Sequence, residues 1–223
     1  MPRWIQFGER VEGYDIPVLN EREIRAAAGI LFLMMFITIN IAAGQLNFTP
    51  IKYAVCLFLV DICVRVFVNP RFSPFLILGR LIVRKQTPEY VGAAQKRFAW
   101  IIGVVLAATM FVLMVAMNTY SPVTGIICFV CLIFLFFETA FGICLGCKVY
   151  GLVYRKKARY CPGEVCEANA RQPISKTSLG QILIVIGFLV LALGGGKLFH
   201  QTLSQKPQAL FGQELIPPGA PEN

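Results

Sequence analysis

Residues 123–150 read VTGIICFVCLIFLFFETAFGICLGCKVY. The stretch is apolar from Val123 up to a single carboxylate, Glu138, and it then carries two cysteines, Cys144 and Cys147. An apolar run of about 20 residues is long enough to cross the hydrocarbon core of a bilayer as an α-helix. The stretch therefore predicts a membrane helix with a pair of thiols at one end.

The rest of the chain has the same blocked distribution of apolar residues. Its 223 residues are 57% hydrophobic and 15% charged, whereas soluble domains have about 25% charged residues. Open sheets are excluded from lipid, and the apolar runs are too long and too uniform for barrel strands. The predicted fold class is all-α, a polytopic membrane helix bundle in contact with the lipid bilayer.

Five spans are expected, four in a core domain and one extra C-terminal helix. The expected organisation is an N-terminal segment (1–25), a four-helix membrane domain (26–153), a basic loop (154–178), a fifth membrane helix (179–199) and a disordered tail (200–223). The second core span is placed at 51–68. After it, Ser73-Pro74 predicts an N-cap followed by proline at the first helical position. Because Arg80 and Arg84 share a face of the short helix that follows, we expect it to lie in the headgroup region.

Basic residues predict the orientation. The formal net charge is +9, and Lys and Arg concentrate in three segments, 1–25, 69–97 and 148–176. By the positive-inside rule these segments are cytoplasmic and the C-terminal tail is extracytoplasmic, in a bacterial cytoplasmic (inner) membrane. No basic patch combines with aromatic residues outside the apolar runs, so no nucleic-acid partner is expected.

Three ionisable residues fall inside predicted spans, where charges are energetically costly. Asp61 and Arg65 are spaced i,i+4 and share a helix face, so they can pair. They fit a packing role or an ion or substrate pathway. Glu138 lies within the fourth span, and we expect it to pair with Arg65 across the bundle.

Cys144 and Cys147 are the strongest candidates for chemistry. On an intact helix their Cβ atoms are too far apart for an unstrained disulfide, so a local break is needed, and Gly142 and Gly146 favour one. Thiol exchange is promoted by CxxC spacing and by a nearby cation such as Lys148. In the cytoplasm such a pair is typical of catalysis, sulfur transfer or metal binding. On a straight helix both cysteines would point away from Glu138.

Four further cysteines are interpreted as packing residues, and two as part of the chemistry. Cys128–Cys131 and Cys56–Cys63 lie in apolar helices, where cysteine usually behaves as a small hydrophobe. Cys161 and Cys166 complete a C-x2-C-x13-C-x4-C pattern with Cys144 and Cys147. That pattern fits a second redox pair or, alternatively, a four-thiolate zinc site; otherwise no cofactor is expected.

Several short motifs carry a resemblance to a known family. They are NEREIRAAAG (20–29), Asp61 with Arg65, RFSP (71–74), KRFA (96–99) and ETAFGICLGCKVY (138–150). Over roughly residues 15–155 the chain resembles a bacterial integral-membrane family called domain of unknown function 4395. The resemblance implies four membrane spans and no established activity. It also implies an association with thioredoxin-like and sulfurtransferase (rhodanese-like) proteins, which points towards thiol or sulfur chemistry.

Three functions remain open from the sequence. The first is a thiol–disulfide or sulfur-relay component that uses Cys144 and Cys147 with a cytoplasmic thioredoxin-like or rhodanese-like partner. The second is a transporter of a small sulfur compound or anion, with Asp61, Arg65 and Glu138 along the path. The third is a structural accessory subunit with a zinc-thiolate loop.

Overall fold

The computed structural model describes residues 7–154, 178–205 and 208–209. Within these residues, eight α-helices run in chain order: α1 (Glu21–Gln45), α2 (Thr49–Cys63), α3 (Pro74–Val83), α4 (Ala93–Met110), α5 (Pro122–Phe136), α6 (Leu145–Tyr154), α7 (Leu179–Leu198) and α8 (His200–Leu203). Four short strands accompany them: β1 (Val18–Asn20), β2 (Tyr90–Gly92), β3 (Thr119–Tyr120) and β4 (Gln208–Ala209). The expected all-α architecture is confirmed.

In the part of the chain that the structure describes, four helices are long and apolar enough to cross a membrane, judged by length and composition. They are Glu21–Gln45, Ala93–Ala116, Pro122–Phe141 and Leu179–Leu198. The predicted second span, 51–68, is not among them. It consists of the 15-residue helix α2 followed by a five-residue π-helical segment, Val64–Val68. The α-helical part of this span is therefore shorter than the four candidate spans, which have 20 to 25 residues.

Helix α1 is central to the bundle and packs against α2, α3 and α5. Its apolar side chains contribute to two neighbouring clusters in the described residues. One cluster includes Leu31 of α1, Phe58 of α2 and Trp100 of α4. The other includes Met35 of α1 and Met110 of α4. Burial of these side chains joins the helices that carry the site described below.

Helix α3 begins as the sequence predicts. The Ser73 side chain accepts a hydrogen bond from the Leu76 amide, and Pro74 occupies the first turn. A Cβ built on Gly79 would lie 2.6 Å from the Glu23 carbonyl oxygen of α1, so only glycine allows this close approach. Arg80 is buried and forms an ion pair with Glu23 at 3.0 Å. The prediction that Arg80 faces lipid headgroups is therefore wrong, because its side chain is used to join α3 to α1.

The C-terminal helix is attached to the bundle at both ends. Near its start, Gln181 Nε2 donates to the Arg71 carbonyl at 3.3 Å. Near its end, the Tyr53 hydroxyl donates to the Gly196 carbonyl at 2.7 Å. Helix α7 begins after its own N-cap residue, Ser178. The contacts of α7 with Tyr53 of α2 and with α3 place it beside these two helices.

The prediction of a disordered tail is wrong for its described part. Residues 200–203 form α8, and β4 pairs in parallel with β3, placing Thr119 beside Gln208. The buried ammonium of Lys52 donates to the Gln205 carbonyl and to Asn118 Oδ1. A buried lysine that needs acceptors thus orders the chain after α7. Residues 210–223 and most of the predicted basic loop lie outside the described residues.

Candidate functional site

A break in the fourth apolar helix shapes the site. After α5 the chain continues as a π-helical segment, Phe137–Phe141, and ends at Gly142 with φ +65°. The Ile143 amide donates to the Phe137 carbonyl at 3.0 Å, which closes this end of the helix. A positive φ favours glycine because it has no Cβ to clash with the backbone. The chain then turns and starts α6 at Leu145, so the break that the sequence suggested is present.

Cys144 and Cys147 lie on the two sides of the start of α6. The Cys144 carbonyl accepts hydrogen bonds from the Cys147 amide at 3.0 Å and the Lys148 amide at 3.2 Å. Cys144 therefore precedes the first turn and Cys147 lies within it. Both are buried, with 6% and 3% of their surface exposed. The hydrogen bond between the two thiols, and then burial, raise the pKa of Cys147 above its ordinary value.

A buried lysine lies beside this cysteine pair. Lys96, in the first turn of α4, has no exposed side-chain surface. Its Nζ atom lies 2.8 Å from Glu21 Oε2 and forms a second ion pair with Glu138 Oε1. The ammonium also interacts electrostatically with Cys144 and Cys147. We call Glu21, Lys96, Glu138, Cys144 and Cys147 the lysine–cysteine cluster.

Two paired strands explain how Glu21 and Lys96 meet. Strand β1 leads directly into α1, and β2 leads directly into α4. The strands are antiparallel, with Val18 opposite Gly92, so the first turns of the two helices start side by side. Asn20 caps α1 by accepting a hydrogen bond from the Arg22 amide at 3.2 Å. The pairing of β1 with β2 thus brings together an acid and a base that are far apart in the sequence.

The prediction that Glu138 pairs with Arg65 is wrong. Its carboxylate binds Lys96 in the first turn of α4, a helix that packs against α5 and α6. The expectation that Glu138 points away from the cysteines assumed a straight helix. The helix ends at Gly142, so Cys147 lies on a different helix from Glu138. The Glu138 carboxylate interacts electrostatically with Cys147.

The predicted Asp61–Arg65 pair is confirmed as a contact, with Arg65 Nη2 2.6 Å from Asp61 Oδ2. Asp61 also accepts hydrogen bonds from Ser73 Oγ at 2.6 Å and from the Phe75 amide at 3.0 Å. The Arg65 guanidinium lies 5.5 Å from the ring centroid of Trp100. These contacts join α2 to the start of α3 and to α4, which favours a packing role.

Residues 19–155 match the family described as a domain of unknown function, DUF4395. The chain belongs to this family. Comparison with curated proteins and with solved structures gave no match.

The DUF4395 region contains the whole lysine–cysteine cluster. It also contains Asp61 and Arg65 and ends before α7. Cys161 and Cys166 fall beyond the matched region and outside the described residues. The cluster is therefore a feature of the family part of the chain, whereas the proposed second cysteine pair is not.

The remaining cysteines differ in surroundings. Cys128 and Cys131 are buried within α5, whereas Cys56 and Cys63 are half-buried on α2. In the described part of the chain, no group of three or more His, Cys, Asp or Glu side chains is placed to hold a metal ion. The four-thiolate zinc alternative would need Cys161 and Cys166, so it stays a prediction.

Sequence reasoning missed Lys96 and Glu21 as site residues. From the sequence, Lys96 belongs to the basic segment 69–97 and Glu21 to the N-terminal segment 1–25. One signal was present: acids stand at the start of the first apolar run and a base at the start of the third. Two such helix starts at the same membrane face can meet.

Proposed function

We propose that this DUF4395 protein carries out reversible thiol–disulfide or sulfur exchange through Cys144 and Cys147. The observation that supports the proposal most strongly is the helix break at Gly142. It places Cys144 before the first turn of α6 and Cys147 inside it, with both residues buried. A pair at a helix start can close into a disulfide with less rearrangement than a pair inside a continuous helix.

The lysine–cysteine cluster supports such chemistry electrostatically. A nearby cation favours the thiolate, which is the reactive form of cysteine. Lys96 supplies that cation, and Glu21 and Glu138 hold it beside the sulfurs. The cluster thus places an ammonium group, paired with two carboxylates, beside the two sulfurs.

The exchange reaction balances with a partner that supplies a disulfide or a persulfide. The Cys144 thiolate attacks one sulfur of a partner disulfide and releases one partner thiol. Cys147 then attacks Cys144, forms the intramolecular disulfide and releases the second partner thiol, so two electrons and two protons pass to the partner. In the sulfur-transfer form, Cys144 attacks the outer sulfur of a partner persulfide and the partner leaves as a thiolate.

Burial of both thiols sets a requirement on the partner. With 6% and 3% exposure, neither sulfur can be attacked by a folded protein unless the segment around Gly142 opens. We propose a thioredoxin-like or rhodanese-like protein as this partner, acting from the cytoplasm. Its docking would displace the turn at Gly142–Ile143 and expose Cys144 first.

We place the cluster at the cytoplasmic face of a bacterial inner membrane. The first turns of α1 and α4 lie together with Glu138 of the π-helical segment. The flanking segments 1–25, 69–97 and 148–176 hold most of the basic residues. The positive-inside rule then assigns this end to the cytoplasm and the residues after α7 to the other side.

Differential alkylation in rapidly quenched native membranes tests the proposal. We expect either a reductant-sensitive Cys144–Cys147 disulfide, lost in both Cys144→Ser and Cys147→Ser, or a persulfide on Cys144, lost in Cys144→Ser and kept in Cys147→Ser. Cys56→Ser and Cys63→Ser are the matched controls, and they should leave the modification unchanged. Free thiols under every condition would contradict the proposal, and thiols released only by a chelator would favour the zinc alternative.

A further inference from the structure

Arg25 of α1 contacts the turn that leads to Cys144. A Cβ built on Gly142 would lie 3.0 Å from the Arg25 Cζ and Nη1 atoms and 3.2 Å from Nε, so the guanidinium lies directly against this glycine. The backbone makes a second contact, because Thr139 Oγ1 donates to the Arg25 carbonyl at 3.2 Å. Helix α1 thus contacts the helix break through both the side chain and the backbone of Arg25.

The position of this arginine also suits the end of a helix. The carbonyl groups of a last helical turn carry partial negative charge, and an arginine close to them is stabilising. Here the π-helical segment ends at Gly142, whose amide donates to the Glu138 carbonyl at 3.1 Å. Arg25 therefore favours the closed form of the turn, in which both thiols are buried.

Arg25 has no acidic partner within the described residues. It forms no ion pair there, whereas the two acids of the lysine–cysteine cluster, Glu21 and Glu138, are both paired with Lys96. The Arg25 side chain is half-buried, so part of it is accessible from outside the bundle. A guanidinium binds a carboxylate through two parallel N–H donors. Arg25 can therefore pair with an acid supplied from outside the described bundle.

Two exposed bases adjoin the lysine–cysteine cluster. Arg97 directly follows Lys96 in α4, and Lys148 directly follows Cys147 in α6. The two helices pack against each other. Together with Arg25 they provide three positive charges on the three helices around the cysteine pair, and such an arrangement favours a negatively charged binding partner.

We propose that Arg25 is the docking point for a carboxylate of the thiol partner, so that exchange at Cys144 selects a protein with an acidic surface beside its disulfide. The inference rests on the proposed function, to which it adds the recognition chemistry of the partner. A carboxylate that binds Arg25 draws the guanidinium away from Gly142. Docking therefore recognises the partner and loosens the turn that must open. Arg25 does not touch the reacting sulfurs, so it acts as a positioning residue.

Two synthetic disulfide peptides serve as probes. They differ only at the positions next to the cystine, which are glutamate in one peptide and lysine in the other. The reduced full-length protein in phosphatidylcholine nanodiscs is mixed with each peptide, and formation of the Cys144–Cys147 disulfide is followed by quenched alkylation. We expect the acidic peptide to react at least about tenfold faster than the basic one. Equal rates, or a faster basic peptide, would overturn the inference.

Arg25→Gln removes the charge at the docking point. The ratio of the two peptide rates should then fall by about fivefold or more. The ratio is the decisive quantity, because a loosened turn speeds both peptides alike. Arg84→Gln is the matched control, since Arg84 is an exposed arginine at the end of α3 and should leave the ratio unchanged. An equal fall in both variants would contradict the inference. Arg25→Met replaces Arg25→Gln if the latter fails to fold.

An anionic lipid headgroup is the other ligand that suits Arg25. Repeating the comparison in nanodiscs that contain phosphatidylglycerol distinguishes the two. We expect the difference in rate ratio between the natural chain and Arg25→Gln to persist there. If that difference disappears, a lipid phosphate occupies Arg25 and the inference is wrong.

The two proposals fail in different ways. Hydroxyethyl disulfide, which is small and neutral, is the third probe. If it oxidises the Cys144–Cys147 pair while neither peptide does so, or while both peptides do so at equal rates, this inference is wrong and the proposed function stands. If none of the three probes produces the disulfide, both are wrong.

Discussion

Cys128–Cys131 and Cys144–Cys147 have the same CxxC spacing and belong to one apolar stretch, yet their surroundings differ. Cys128 and Cys131 lie inside the regular helix α5, and Cys128 packs in an apolar cluster with Met35 and Met114. The second pair follows a helix break and lies beside the Lys96 ammonium. Both pairs are buried, so burial alone does not distinguish them.

The comparison shows that spacing is not sufficient to define a reactive pair. A continuous helix holds i,i+3 side chains on one face at a fixed separation, whereas a helix start leaves the first residue free of helical φ and ψ. The cation is the second difference. Lys96 lies beside Cys144 and Cys147, and α4, which carries Lys96, packs against α6, which carries Cys147.

The largest effect is expected from Lys96→Met. Removal of the ammonium leaves the Glu21 and Glu138 carboxylates buried without their shared cation, which should lower the free energy of unfolding by about 3–5 kcal/mol. Thermal unfolding in detergent measures this loss. Lys148→Met is the control, since Lys148 is exposed, and an equal response of the two variants would contradict the buried ion pairs. Adding Glu138→Gln to Lys96→Met should recover part of the stability.

Gly146→Ala should be the next most damaging change. A Cβ at this position would lie 2.5 Å from the Cβ of Ala99, so α6 would have to move away from α4. Overpacking of this kind costs about 1–3 kcal/mol, measured by unfolding in detergent. Gly187→Ala in α7 is the control, because no atom lies within 4 Å of the added Cβ. A natural-like stability of Gly146→Ala would show that α6 does not pack as described.

Gly142→Ala tests the break itself. Alanine is strained at φ +65°, and its Cβ would lie 3.0 Å from the Arg25 guanidinium. We expect a loss of about 1–2 kcal/mol and a lower yield of the Cys144–Cys147 disulfide under oxidant. Gly125→Ala within α5 has open space around the new Cβ and should be neutral or stabilising. An unchanged disulfide yield in Gly142→Ala would remove the break from the explanation.

Tyr53→Phe should have the smallest effect. It deletes the hydrogen bond to the Gly196 carbonyl, which is worth about 1 kcal/mol. This contact lies near the end of α7, away from the lysine–cysteine cluster. Alkylation rates of Cys144 and Cys147 should therefore match those of the natural chain, and a changed rate would indicate that the two ends of the bundle are coupled.

Local features of the fold were predictable from sequence, and contacts between distant helices were not. The Ser73-Pro74 helix start and the Asp61–Arg65 pair depend on residues a few positions apart, and both are present. The need for a break near Cys144 also followed from local geometry. The partner of Glu138 could not be predicted from local geometry. Arg65 and Lys96 are both basic, and the sequence pattern places both near the same membrane face.

Two other features depended on tertiary structure. Arg80 resembled a headgroup-facing residue until its buried contact with Glu23 was seen. The residues after α7 have a composition typical of disorder, yet Lys52 binds the Gln205 carbonyl. In both cases a buried charged side chain contacts a segment far away in the sequence, and sequence periodicity does not predict such contacts.

A glutathione redox titration of the purified full-length protein tests the central claim most directly. Two variants would be compared, one with Cys144 and Cys147 as its only cysteines and one with Cys128 and Cys131. We predict that the first pair changes between dithiol and disulfide within about −120 to −300 mV, the range of exchanging protein dithiols, while the second stays reduced. Equal behaviour of the two pairs, or a first pair that remains reduced at every potential, would contradict the account.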